Sequence, residues 1–207
     1  MIQFRDGFYA DLRTEDRFRT VISYKAGVLE EMLTRVERRA FLRVYDGKLW
    51  YYASVTDLDH IQKTLDGLYA AATPNKDILS DPIVGRFERN RDTLMSFTDC
   101  SVRDIPASEK QALLLSYLPL LTEDSCVTMP EGLYLDRNSV YHFVSSLGAD
   151  ITYDYQTCGV SFSCSMAEGD KKFSGHWQKG ATRFDELTGL DEEIRAAVAE
   201  QAAFMRN

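Results

Sequence analysis

The sequence predicts an α+β fold in which antiparallel sheets carry helices packed on one face. Three observations lead there. Runs with a side-chain period of two recur in both halves of the chain. Most are joined by short glycine-bearing turns, which suit antiparallel neighbours better than parallel crossovers. Three further segments carry apolar residues at helical spacing, 58–72, 108–117 and 190–205.

The stretch from Arg39 to Ala72 is the clearest module. Arg39 to Tyr45 reads as a strand. Asp46-Gly47 is a favoured pair for a two-residue type I′ turn, in which both positions need positive φ. Lys48 to Val55 then alternates, with Leu49, Tyr51, Ala53 and Val55 on one face and Trp50, Tyr52 and Ser54 on the other. Thr56 and Asp59 have capping-box spacing. Leu58, Ile61, Leu65, Leu68, Tyr69 and Ala72 form the apolar stripe of the helix behind them.

Before this module, Phe8 to Leu12 and Phe18 to Lys25 are strand candidates, and Ala26-Gly27 is a turn. Val28 to Arg38 is ambiguous, because its spacing favours helix and its context favours a strand. After it, Pro74, Asn75, Asp77, Ser80, Asp81 and Pro82 have loop composition. Ser108 and Gln111 again have capping-box spacing, and Pro119 is expected to kink or end the helix they open. Ser125 to Met129, Gly132 to Asp136, Val140 to Ser145, Ile151 to Gln156, Gly159 to Met166 and Lys172 to Lys179 read as an antiparallel meander. Leu190 to Met205 closes the chain as a helix. This gives a first sheet plus helix in 1–73, a connecting arm in 74–107, and a helix, meander and last helix in 108–207.

Composition narrows the function. A net charge of −8 over 207 residues argues against a primary role on nucleic acid. Arg17, Arg19, Arg38, Arg39 and Arg43 mark a solvated strand face in preference to a basic one. No apolar run is long enough to span a membrane, and the acidic residues near the N-terminus do not suit a signal peptide, so a cytoplasmic location is expected. The four cysteines form no CxxC pair, and the alternation in 158–166 puts Cys158 and Cys164 on the buried face of a strand. His60, His142 and His176 have no zinc-helix spacing. No GxSxG, Walker loop or GxGxxG is present. Gly169, Gly175 and Gly180 read as hairpin glycines before ligand-approach glycines.

The order of these pieces resembles the TldD/PmbA family of zinc metallopeptidases, also called modulators of DNA gyrase. The resemblance rests on Gly27 to Glu30, Leu42-Arg43-Val44, Asp46-Gly47, Tyr52-Ala53-Ser54 and Leu58-Asp59 in the first half. In the second half it rests on VYHFVSSLGADITYD and CGVSFSCSMAEGDKKFSGHWQKGATRFDEL. It implies the family's N-terminal fold and a strand at Val28 to Arg38. It implies no catalytic or metal residue here, since the family's HExxxH helix and zinc belong to a C-terminal domain that would begin beyond Asn207. It further implies a homodimer, or a heterodimer with a family paralogue, and a cavity for unfolded or extended peptide gripped as an added strand. Trp50, Tyr51, Tyr52, His176 and Trp177 are the candidate wall residues. The alternative is a free-standing peptide-binding or assembly module without enzymatic activity. A hydrolase built on His142, His176 and nearby serines is the least supported reading.

Overall fold

The computed structural model describes residues 2–207. Seven strands form one sheet: β1 (Tyr9–Lys25), β2 (Val28–Tyr45), β3 (Trp50–Val55), β4 (Arg91–Leu94), β5 (Val127–Ser145), β6 (Asp150–Glu168) and β7 (Lys171–Ala181). Among the described residues three α-helices accompany them: α1 (Ile61–Ala71), α2 (Ala107–Leu121) and α3 (Asp191–Arg206). The sheet order is β3-β2-β1-β5-β6-β4, and β7 also pairs with β6. β4 lies against Asp150 to Tyr153 and β7 against Cys158 to Glu168. The β4 pairing is parallel and the β7 pairing antiparallel.

The strands are longer than the sequence pattern suggests. Phe8 to Leu12 and Phe18 to Lys25 belong to one strand of 17 residues, and Val28 to Tyr45 is one strand of 18. Polar residues that read as breaks lie inside the ladder. Glu15 and Arg17, for example, pair with each other at 2.9 Å within β1. A charged pair that meets its own partner does not need to leave the sheet. Val28 to Arg38 is a strand, as the resemblance implies.

Two turn assignments change. The two-residue turn with both φ values positive is Ala26-Gly27, at 48° and 80°. Tyr45 pairs with Trp50, so Asp46 to Leu49 form a four-residue loop. Only Gly47 there has positive φ. Asp46 Oδ1 accepts from the N–H groups of Lys48 and Leu49, each at 2.8 Å. A side-chain acceptor closes that loop, so the backbone does not need a type I′ geometry.

The capping assignments change as well. Asp57 accepts from Asp59 N at 3.1 Å and caps a single 3₁₀ turn that leads into α1, which has no side-chain cap of its own. α2 starts directly after Pro106 without a side-chain cap, and Pro119 sits inside its last turn without ending it. Leu120 and Leu121 beyond Pro119 are buried in the core, which holds that turn in place.

Two compact units draw on separated segments. The first combines the chain up to Arg17 with Val36–Ser96 and Ser139–Tyr155. Its core sets Phe8, Ala10, Leu12, Ala40, Leu42 and Val44 of the sheet against Ile61, Leu65 and Tyr69 of α1. The second combines Phe18–Arg35, Phe97–Asn138 and Gln156–Asn207. Its core sets Phe18, Ile22, Val160 and Phe162 against Leu114 and Tyr117 of α2 and Ile194 and Val198 of α3. Cys126, Cys158 and Cys164 are buried there. Burial pushes the Cys158 and Cys164 thiols up, to about 12 and about 11. In each unit the helices cover the face to which β1 turns its even-numbered residues. Neither α1 nor α2 nor α3 covers the odd-numbered face, where Tyr9 packs instead with Ile78 and Val84 of two 3₁₀ turns. No helix among the described residues is long and apolar enough to cross a membrane.

Candidate functional site

In the first unit the side of the sheet away from α1 is aromatic. The register of β2 with β3 sets Tyr45 against Trp50 and Arg43 against Tyr52. Trp50 stacks on Tyr45 at 4.7 Å and on Tyr52 at 6.3 Å, and Tyr52 stacks on Phe41 at 5.9 Å. The Arg43 guanidinium lies 5.0 Å over the Trp50 ring. One end of this ladder is covered, because Tyr9 and Phe87 stack at 4.4 Å and both meet Trp50 edge-on. The other end is open, with Phe41 42% and Tyr52 56% exposed.

Ion pairs fix this surface. Arg43 donates to Asp11 from Nε at 2.9 Å and from Nη2 at 2.5 Å, and Tyr9 Oη donates to Asp11 at 2.9 Å. Arg38 pairs with Asp16. Glu15 accepts from Arg17, Arg39, Ser139 and Tyr141. Burial works to raise the Glu15 carboxyl, and the hydrogen bonds from Arg17, Arg39 and Tyr141 outweigh it, so the group is held at about 2, below its ordinary 4.5. A depressed carboxyl stabilises the fold fully above its unfolded value and loses that contribution as pH falls through its folded one. Glu15 is therefore expected to contribute roughly 3 kcal/mol at neutral pH and to lose it between about pH 4.5 and 2. Urea unfolding of the chain and of Glu15→Gln across that range checks this. An unchanged acid slope in the variant would refute it.

In the second unit the side of the strands away from the α2 and α3 core carries small and apolar residues beside a few polar ones. A cleft of about 460 Å³ is lined by Leu133, Leu135 and Arg137 of β5, Thr157 and Ser161 of β6 and Gln178 of β7, among others. Gly159 and Gly180 face each other across β6 and β7 and form its floor. A Cβ built on Gly180 meets nothing within 4 Å, so the groove is open above it.

The five residues singled out from the sequence divide between these settings. Trp50 and Tyr52 stand together in the aromatic ladder. Tyr51 points the other way, packs against the α1 core and donates to Asp46 at 3.2 Å. Trp177 faces the helices and stacks on Phe162 at 5.9 Å. His176 is exposed on the opposite face, 3.2 Å from Ser163 and 3.4 Å from Gln178. Phe41, Tyr9 and Phe87 were not legible as ladder members. Register supplies the first two, and Phe87 arrives on a stretch with no period. The glycines also separate: Gly169 makes a turn at φ 59°, Gly175 admits α3, where a Cβ would strike Gln201, and Gly180 lines the cleft.

The residues present do not fit a zinc ion. Among the described residues no three His, Cys, Asp or Glu side chains are grouped to hold one. His60 meets Asp57 at 2.7 Å, and His142 meets Asp150 at 2.8 Å.

Family models match most of this chain. Residues 10–72 match PmbA/TldA metallopeptidase domain 1, and residues 100–205 match the PmbA/TldA metallopeptidase central domain. The chain belongs to the PmbA/TldD family. Similar solved structures include a proposed modulator of a DNA gyrase from Thermotoga maritima, at 19% identity and a TM-score of 0.69 over 95% of this chain and 44% of that one. A second proposed modulator of DNA gyrase, from Bacteroides thetaiotaomicron, has 14% identity and a TM-score of 0.71 over 94% and 45%. TldE from Thermococcus kodakarensis has 13% identity and a TM-score of 0.69 over 94% and 44%. At these identities the likeness shows the fold. The chain spans less than half the length of these PmbA/TldD-type structures. No curated protein matches it.

Proposed function

We propose that this PmbA/TldD chain supplies substrate-binding wall for a zinc metallopeptidase acting on unfolded or extended peptides, with the catalytic metal held elsewhere. The observation that carries the reading is the exposed end of the Phe41–Tyr52–Trp50 ladder. Flat aromatic faces on a rigid sheet take up extended chain without demanding one sequence. A second copy or a family paralogue completes the proposal. The outer edge of β2 supports it, since β3 pairs only with Ala40 to Tyr45 and Val28, Met32 and Val36 stay 66%, 43% and 54% exposed.

Calorimetric titration with the neutral peptide acetyl-Thr-Val-Asn-Val-Thr-amide tests the wall. Joint Phe41→Ala and Tyr52→Ala substitution is expected to weaken binding about tenfold while leaving the circular dichroism intact. Unchanged affinity would remove the ladder from the reading. Equal binding of a folded protein such as ubiquitin would remove the preference for extended chain.

A further inference from the structure

Arg19 stands apart from four of the arginines of the first two strands. Arg17, Arg38, Arg39 and Arg43 each meet a carboxylate. The Nε of Arg19 is buried and has no hydrogen-bond partner. Its neighbour on the β5 side is also cationic. On the β1–β5 side, Ala26 N donates to Pro130 O and Thr20 N to Asp136 Oδ1, and at the far end Ser146 N donates to Ala10 O. Partner numbers therefore fall one for one, which sets Arg19 beside Arg137. Arg19 and Arg137 both belong to the second unit. Phe18 and Thr20 on either side of Arg19 turn into the core under α2 and α3, so Arg19 lies on the side of the sheet away from those helices. Arg137 opens onto the glycine-floored cleft. Arg137 engages other groups of the chain, so the unmet donor is the one on Arg19.

We propose that Arg19, beside Arg137, forms a carboxylate-binding subsite, and that the cleft takes an extended peptide bearing a carboxylate. The inference rests on the reading that the chain binds extended peptide, and it gives the second unit a peptide site of its own. A guanidinium fork matches a carboxylate in two parallel hydrogen bonds. Leu133 and Leu135 give neighbouring apolar side chains a wall, and Gly159 and Gly180 let backbone approach. The carboxylate comes from an Asp or Glu side chain or from a chain terminus, and the same fork serves both.

The test is calorimetric titration of the 207-residue chain with three peptides. They are acetyl-Thr-Val-Asp-Val-Thr-amide, its Asn counterpart, and the Asn peptide with a free C-terminal carboxylate. The Asp peptide, the free acid or both are expected to bind about tenfold tighter than the neutral amide, and whichever gains affinity names the source. Arg19→Gln is expected to abolish the difference and Arg19→Lys to keep part of it. Arg13→Gln removes the same charge from the exposed Arg13 over Phe143 and is expected to leave the preference intact. Equal binding of all three peptides overturns the subsite and leaves the peptide reading standing. Loss of the preference in Arg13→Gln as well overturns it in favour of net charge. Absence of binding by every peptide overturns both readings.

Discussion

Lys110→Met is expected to destabilise the second unit by about 3–5 kcal/mol. Lys110 and Asp136 have side chains 1% and 0% exposed, and Lys110 Nζ lies 2.5 Å from Asp136 Oδ2. Lys110 Nζ also donates to Val102 O at 2.7 Å and Thr20 Oγ1 at 3.1 Å, and sits 4.9 Å from the centre of the Phe18 ring. Asp136 in turn accepts from Thr20 N at 2.7 Å and Tyr134 Oη at 2.9 Å. The network ties β1, α2 and β5 together. Methionine fills a similar volume but leaves Asp136 charged, dry and without its cation, and an uncompensated buried charge dominates the loss. Urea unfolding followed by Trp177 emission, in a Trp50→Phe background so that Trp177 is the remaining tryptophan, reads the second unit. Lys110→Met with Asp136→Asn is expected to cost less than Lys110→Met alone, since no buried charge remains. A single-variant loss under about 1 kcal/mol would mean that water reaches Asp136 and that the pair is not sealed.

Much of the fold was legible because burial imposes period. The stripe Ile61, Leu65 and Tyr69 is the buried face of α1, and Cys158, Val160, Phe162, Cys164 and Met166 are the buried face of β6. Where period was missing, so was the reading. All four residues of β4 are exposed, and nothing in Arg91 to Leu94 marks a strand held by a parallel neighbour. Strand ends were misplaced wherever a charged residue finds its partner inside the sheet, as Glu15 does with Arg39. Val28 to Arg38 goes further: its residues are almost all exposed, so local helical spacing had no burial to contradict it, and the resemblance decided the matter. The candidate site was half legible. Alternation placed Trp50 and Tyr52 on one face, but the sequence does not show what lies across a ladder. Phe41 beside Tyr52, Gly159 opposite Gly180 and Arg19 beside Arg137 depend on register, which is a property of pairs of strands.

Phe162→Ala is expected to cost a similar amount, about 3–5 kcal/mol, for a different reason. Phe162 is 2% exposed, stacked on Trp177 at 5.9 Å and edge-on to Tyr117 at 6.1 Å. Its ring fills the space beside Gly132, where even a Cβ would come within 3.3 Å of it. Alanine leaves a cavity that a glycine neighbour cannot fill, so the loss combines lost burial with lost contact. Phe162→Leu should recover part of it. Equilibrium urea unfolding measures both, with Trp177 emission shifting red in the alanine variant as its stacking partner goes. A loss under about 1 kcal/mol would show that α2 and β7 collapse into the space. Position makes the comparison informative for function. Phe162 projects to the helix side of β6, while Ser161, one residue earlier, projects into the cleft. Ser161→Ala should leave stability unchanged within about 0.5 kcal/mol, because an open cleft has no packing to lose. One strand thus holds its core with one face and presents its ligand surface with the other, and the two substitutions separate those roles.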